Sequence, residues 1–420
     1  MKLRTRTIMI LSTILLSAMA YQEPQPSEVR VADLKAHIGF FTSEELEGRE
    51  AGKKGGHLAA GYIENQFRRL GLKALGEEGS YRLPFKLRKD TAYNVVGVLQ
   101  GTDPELSKSY IAIGGHHDHA GLGSQMSGAM GFPYEIHNGA DDNASGASGV
   151  LELAEYYAAH PMKHSMIFMT FSAEERGLLG SKHLVESGIL PNDDILFMVN
   201  LDMIGRLTDS KLFVGGLGTA EELHHHLDPI FQANDMDLEL DDRGEAPSDN
   251  TSFFHGGIPA MFFFTNIHED YHMPSDDADR INYKGEVRVL NLVQEVVAKL
   301  DNESSLTFVN HGGMGMPKDF MTRMGDHYQR IAQRKSMKGK LGVRTGDVIG
   351  SGLEVASVRE GSAAAEAGLQ DGDVLLRVNG RDTIDMDQLR RALAGGLKGE
   401  EVSLKVKRGQ ETVNLTATLQ

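Results

Sequence analysis

The 420-residue chain contains no cysteine, which excludes disulfides and thiolate metal sites and leaves histidine and carboxylate as the available metal ligands. It is also short of basic residues. Lys and Arg number 43 against 59 Asp and Glu, a formal net charge of −16, and that balance argues against a polyanionic or nucleic-acid partner. Long hydrophobic runs are missing too: residues 8–16 form a mostly apolar stretch, but no segment reaches the roughly 20 apolar residues that a membrane span needs. The short run follows Lys2, Arg4 and Arg6 and precedes Ala18-Met19-Ala20, the pattern of an export signal with a small-residue cleavage site. Residues 1–20 are therefore expected to be a signal peptide, and the mature protein periplasmic or extracellular. A Gly-x-Ser-x-Gly elbow is absent as well. Gly146-Ala147-Ser148-Gly149-Val150 fails at its last position, which argues against a serine hydrolase.

What is present begins with an alternation of strand-like and helix-like patterns over residues 28–300, the signature of an α/β layered fold. Ala59, Ile63, Phe67 and Leu70 mark one helix face, with Gly71 placed to stop it. Residues 93–99 and 110–113 read as strands, and 166–171, 196–201 and 258–264 are near-continuous apolar runs. Runs of that kind fit strands buried on both faces, so a largely parallel central sheet covered by helices is expected. Val287, Leu290, Val293, Val297 and Leu300 mark its last helix. Residues 301–336, with Gly312-Gly313-Met314-Gly315-Met316-Pro317 in a polar, partly helical stretch, read as a linker. Beyond it, residues 337–420 read as a small β-rich unit with strands over 353–358, 374–378, 402–406 and 413–419 and a helix over 386–394.

Acid and histidine clusters follow the apolar runs. In chain order they are Gly115-His116-His117-Asp118, Gly139-Ala140-Asp141-Asp142-Asn143, Ala173-Glu174-Glu175, Asn200-Leu201-Asp202 and Tyr271-His272. Open α/β sheets build their sites where loops leave the carboxyl ends of strands, so sequence separation is no obstacle to convergence. Two imidazoles and three carboxylates suit a pair of divalent zinc ions, with one carboxylate left over as a base. Each cluster alone has a plainer reading: Asp141-Asp142-Asn143 as a helix N-cap, Glu174-Glu175 as a solvated helix start. Strand alternation turns His117 away from His116, and neither His117 nor His119 is expected to bind metal. His224, His225 and His226 read as a solvated helix face.

With all five motifs in order, residues 28–300 resemble the M28 family of zinc peptidases. The resemblance implies a sheet of the zinc aminopeptidase, phosphorylase-like kind and two zinc ions per chain, with cobalt or manganese as substitutes. By that resemblance His116 and Asp202 would bind one ion, Glu175 and His272 the second, and Asp141 would bridge both, with a cis peptide between Asp141 and Asp142. Glu174 would act as the proton-carrying base, and Asp118 would accept the distal N–H of His116. Ser248-Asp249-Asn250 departs from the Ser-Asp-His common in related sequences, which leaves Tyr271 as a candidate hydroxyl for the substrate carbonyl. The implied activity is removal of N-terminal residues from peptides. Alternatives are a carboxypeptidase, for which Arg206 and Arg243 are the nearby cations, a glutaminyl cyclase, or a non-catalytic peptide-binding protein.

Residues 338–420 resemble a PDZ domain of bacterial exported proteases. Gly339-Lys340-Leu341-Gly342-Val343 matches its carboxylate-binding loop, and the run from Glu360 to Leu369, Asp371-Gly372-Asp373 and Val378-Asn379-Gly380 follows. The resemblance implies capture of a peptide by strand addition at a sheet edge, with backbone amides holding its terminal carboxylate.

Overall fold

A computed structural model describes residues 28–123 and 132–420. The expected signal peptide lies outside the described residues. The larger unit is built on nine strands: β1 (Lys73–Ala74), β2 (Arg82–Leu87), β3 (Asp90–Leu99), β4 (Tyr110–His116), β5 (Ser165–Phe171), β6 (Ile195–Leu201), β7 (Lys211–Gly215), β8 (Asp237–Leu240) and β9 (Ala260–Phe264). They run in the order β1-β3-β5-β4-β6-β9-β7-β8, with β2 paired to β3. The central four, β5-β4-β6-β9, are mutually parallel, while β3 and β7 join them antiparallel. The sheet is mixed and largely parallel at its centre, as expected.

The apolar runs are central strands because their alternate residues feed different cores. Ile111, Ile113, Phe168, Val199 and Phe263 pack on one face with helices α1 (Val31–Phe41), α2 (Lys54–Arg69), α3 (Gly146–Ala159), α5 (Leu223–Ala233) and α7 (Tyr283–Leu300). Ala112, Ile167, Met169 and Met198 pack on the other with α4 (Leu179–Glu186) and α6 (Asn250–His255). A strand covered on both faces has no position for a polar residue until it ends. The acid and histidine clusters therefore begin at the carboxyl ends of β4, β5 and β6. The short strands β7 and β8 lack such runs and escaped the sequence reading.

The smaller unit is an antiparallel sheet in the order β10-β11-β12-β14-β15, with β13 paired to β12. Its strands are β10 (Val343–Ile349), β11 (Gly352–Val358), β12 (Val374–Val378), β13 (Arg381–Asp382), β14 (Glu401–Arg408) and β15 (Glu411–Thr418). Helices α9 (Ala363–Glu366) and α10 (Met386–Leu393) pack with it around Leu353, Val355, Leu375 and Leu404. Gly342 has φ of 84°, and a Cβ there would meet the Ser362 Cβ at 2.3 Å, so the loop before β10 requires glycine.

The segment read as a linker contains a 17-residue helix, α8 (Phe320–Ser336). His327 and Ile331 are buried and Phe320 and Met324 half-buried, a 3.6-residue stripe that docks on the larger unit. The stripe was hard to see in sequence because polar residues surround it.

Candidate active site

Four adjacent strand ends deliver the site. His116 closes β4, Glu174 and Glu175 follow β5, Asp202 follows β6, and His272 lies in the loop after β9. Across the cleft, Asp142 comes from the turn that precedes α3. His116 Nε2 lies 3.3 Å from Asp142 Oδ1, 3.4 Å from Asp202 Oδ1 and 3.9 Å from Glu174 Oε2. His272 Nε2 lies 2.9 Å from Asp142 Oδ2 and 3.3 Å from Glu175 Oε2. The two oxygens of Asp142 thus face the two halves of the site.

This geometry corrects the expectation for Asp141. Its Oδ1 accepts the Gly205 N–H at 2.7 Å and the Ser145 hydroxyl at 3.1 Å, and its Oδ2 faces His268 Nε2 at 3.2 Å. Neighbouring residues of the turn point to opposite sides, and Asp142 is the one turned into the cleft. The non-proline cis peptide is correspondingly one residue further along, between Asp142 and Asn143. His119, set aside in the sequence reading, sits with the second group: its Nδ1 is 2.6 Å from Glu175 Oε1 and 3.8 Å from Asp142 Oδ2. His117 points away and meets Thr170 Oγ1 at 3.1 Å.

Asp118 acts differently from expectation. Its backbone carbonyl, not its carboxylate, is within hydrogen-bond distance of His116 Nδ1, at 3.2 Å against 3.7 Å for Oδ1. The carboxylate instead accepts the backbone N–H of Glu174 at 3.2 Å. The outer shell is otherwise dense. Ser248 donates to Asp202 Oδ2 at 2.5 Å and receives the Asn200 amide at 2.6 Å. Asp276 Oδ2 accepts the backbone N–H groups of both Asp141 and Asp142.

Arg49 is the residue that sequence reasoning missed. It is fully buried and donates to the carbonyls of Phe41, His117, Asn138 and Gly139. Burial pulls its pKa down to about 10 against the opposing pull of Asp142 and Asp118. It ties the loop after β4 to the turn that carries Asp142. Glu47, Gly48 and Arg49 all have positive φ, and a Cβ on Gly48 would lie 2.3 Å from the His137 carbonyl. One arginine in a polar stretch gives no periodic signal, so only the fold reveals it.

Charge in the cleft is poorly balanced by the protein alone. Burial raises the Glu174 carboxyl well above the usual range, with Glu175 and Asp202 adding to the rise and His116 opposing it. Burial and Asp142 push Glu175 up to about 8, opposed by His272 and His116. For His116, burial opposes the charged form, but Glu174 and Asp202 outweigh it and hold the imidazole well above its ordinary value. Asp202 Oδ1, Glu175 Oε1 and both ring nitrogens of His119 are buried without a well-aligned hydrogen bond among the described residues, although His119 Nδ1 and Glu175 Oε1 lie 2.6 Å apart. Buried polar atoms without partners are costly. His116, Glu174 and Asp202 form one group of donors, and His119, Asp142 and Glu175 another, each with donor atoms within 4.8 Å of one another. Nitrogen and carboxylate donors in this number fit zinc.

A cavity of about 290 Å³ opens on these groups, with Leu178, Met203, Phe262, Phe264 and Phe320 on its far side. A larger cavity of about 650 Å³ beside β7 and β8 contains Arg206 and none of the six facing groups, so the chemistry belongs to the smaller one. Tyr271 borders the smaller cavity, its ring stacked 3.9 Å from that of His272.

Residues 94–297 match the sequence model of Peptidase family M28, and residues 354–408 match that of the PDZ domain. Aminopeptidase YwaD of Bacillus subtilis is 32% identical over 157 residues, 34% of each chain. A probable zinc metalloprotease of Pyrenophora tritici-repentis is 35% identical over 112 residues, 26% of this chain and 24% of its own. The chain thus spans about a quarter to a third of these curated relatives. Among solved structures, the LapA aminopeptidase of Legionella pneumophila superposes with a TM-score of 0.51 at 22% identity, over 66% of this chain and 73% of its own. The zinc aminopeptidase BSAP of Bacillus subtilis gives 0.53 at 17% identity, over 68% and 100%. These two share the fold.

Proposed function

From a chain that carries a Peptidase family M28 domain followed by a PDZ domain, we propose a di-zinc aminopeptidase that removes residues from the free N-terminus of peptides. The observation that carries this reading is Asp142, whose oxygens face His116 on one side and His272 on the other, with Glu174 beside them. His116, Asp202 and Asp142 would hold one ion, and Glu175, His272 and Asp142 the other, with His119 in reach of the second. Two zinc ions supply Lewis-acid polarisation of the scissile carbonyl and lower the pKa of water.

The residues of the chain do the rest. Glu174 takes a proton from the attacking water and delivers it to the departing amine. Asp118 fixes the backbone of that base through its N–H, and Ser248 fixes the orientation of Asp202. Tyr271, held against His272, is the hydroxyl nearest the role of carbonyl donor. No Lys or Arg among the described residues lines the cavity. Arg206 is paired with Asp270 and Arg243 with Asp241. That supports recognition of an amino rather than a carboxylate terminus.

The PDZ domain is proposed to bind peptide along β10, which pairs only with β11 and leaves its other edge free among the described residues, with Gly339, Lys340, Leu341, Gly342 and Val343 at the carboxylate end. Export is proposed from residues 1–20 and the absence of cysteine. The test is mass spectrometry of one peptide digested by the zinc-loaded protein, supplied free, N-acetylated and C-amidated. Stepwise loss from the free N-terminus, blocked by acetylation and by Glu174→Gln, is expected. Loss from the other end, blocked by amidation, would make it a carboxypeptidase.

A further inference from the structure

The cavity is polar at one end and apolar at the other, and the apolar end is not made by the peptidase domain alone. Met203, Phe262, Phe264 and Ile267 supply most of it. Phe320 joins them beside Leu178 and Pro247, and it belongs to α8, beyond residues 94–297. Phe320 and Met324 pack against the cluster formed by Met203, Phe262, Phe264 and Ile267.

The helix is pinned to the loop that bears His272 along its whole length. The Asn266 amide donates to Asp319 at 2.6 Å, and Arg323 donates to the Ile267 carbonyl at 3.0 Å. His327 meets the Tyr271 ring edge-on at 5.4 Å. Ile331 packs with Phe132 and Met273. A wall held at four successive turns is a fixed boundary. An apolar recess without a counter-charge rejects charged side chains, because they would be desolvated without a partner.

We propose that Phe320 of α8 is a specificity-determining residue, closing a recess that takes the apolar N-terminal side chain of the substrate and setting how large that side chain can be. This rests on the aminopeptidase reading, so the test combines turnover with binding. Peptides beginning with Ala, Leu, Phe, Trp and Lys are hydrolysed by zinc-loaded wild-type protein, Phe320→Ala, Phe320→Trp and the conservative Phe320→Leu. Affinities for the hydroxamates of the same amino acids are measured by calorimetry, with circular dichroism as the check of fold. Met321, 77% exposed and outside the docking stripe of α8, provides the control Met321→Ala.

Wild-type protein is expected to disfavour Lys. Phe320→Ala should raise the Trp-to-Leu ratio of kcat/KM about tenfold or more, Phe320→Leu should raise it less, and Phe320→Trp should lower it, since even one methylene in an apolar pocket shifts discrimination by about 10- to 200-fold. Met321→Ala should leave it unchanged. Unchanged ratios in folded variants overturn the proposal, as do hydroxamates that fail to bind or bind without regard to side chain. Hydroxamate affinities that follow the expected order without any peptide cleavage uphold the recess and reject the peptidase reading instead.

Discussion

Residues 28–300 bury Arg49, Asp118, Asp142, Asp249, Asp276 and Glu286 besides the site histidines, whereas in residues 338–420 the buried polar side chains are Ser362, Asp373 and Thr383. The one ionisable group in the second set is answered in full: Asp373 receives Arg408 through both oxygens and the Gln370 N–H. In the first set, carboxylates crowd one another and several oxygens lack partners. A small domain that binds through backbone can satisfy its interior by itself. The larger unit leaves its buried acids facing one another, a demand that the zinc ions proposed above would meet in part.

Chelation is the most severe way to break that contrast. Removing zinc should abolish hydrolysis and lower the melting transition of the larger unit, because a ligand at 1,000 times its dissociation constant contributes about 4 kcal/mol. The PDZ transition should stay where it is, and differential scanning calorimetry with and without chelator reads both. Glu174→Gln comes next. It should retain the metals and the fold while kcat falls about 10²–10⁴-fold, the range for a positioned acid–base group, as measured by steady-state kinetics beside metal analysis.

The two neighbouring aspartates offer a finer cut. Asp142→Ala should remove most of the zinc-dependent stabilisation. Asp141→Ala should instead cost about 1–3 kcal/mol with or without zinc, because it strands the Gly205 N–H. Denaturant titrations with and without metal separate the two. The smallest effect is expected at Glu286, whose carboxyl burial raises well above its usual range, reinforced by Asp141 and Glu152. The unfolded chain ionises this group above a pKa of about 4.3, so the folded state loses ground as pH rises from there toward the raised value. Glu286→Gln should match wild type near pH 4 and become progressively more stable towards pH 8, read as melting temperature against pH.

Much of this was legible in the sequence because the central strands bury both faces, so polar residues at their ends stand out in one dimension. That signal singled out His116, Glu174, Glu175, Asp202 and His272, which the structure brings to one cleft. It failed where neighbours share a chemistry: Asp141 and Asp142 look alike in sequence, and only the backbone of the turn decides which enters the cleft. It also failed for His119 and Arg49, which come from irregular segments without a period, and for α8, whose docking stripe is diluted by charge. Tertiary placement, not propensity, selects these residues.

The guanidinium of Arg49 carries one more consequence, for the order of folding. Its partners His117, Asn138 and Gly139 lie 68, 89 and 90 residues further along the chain. Contacts that distant close late, because loop entropy must be overcome before they stabilise anything. The cleft therefore cannot take shape from its own neighbourhood. It depends on the same long-range closure as the central sheet, whose Val95–Thr170 and Ile111–Phe197 pairings span comparable stretches of chain, so the loops around the cleft form with the sheet and not ahead of it.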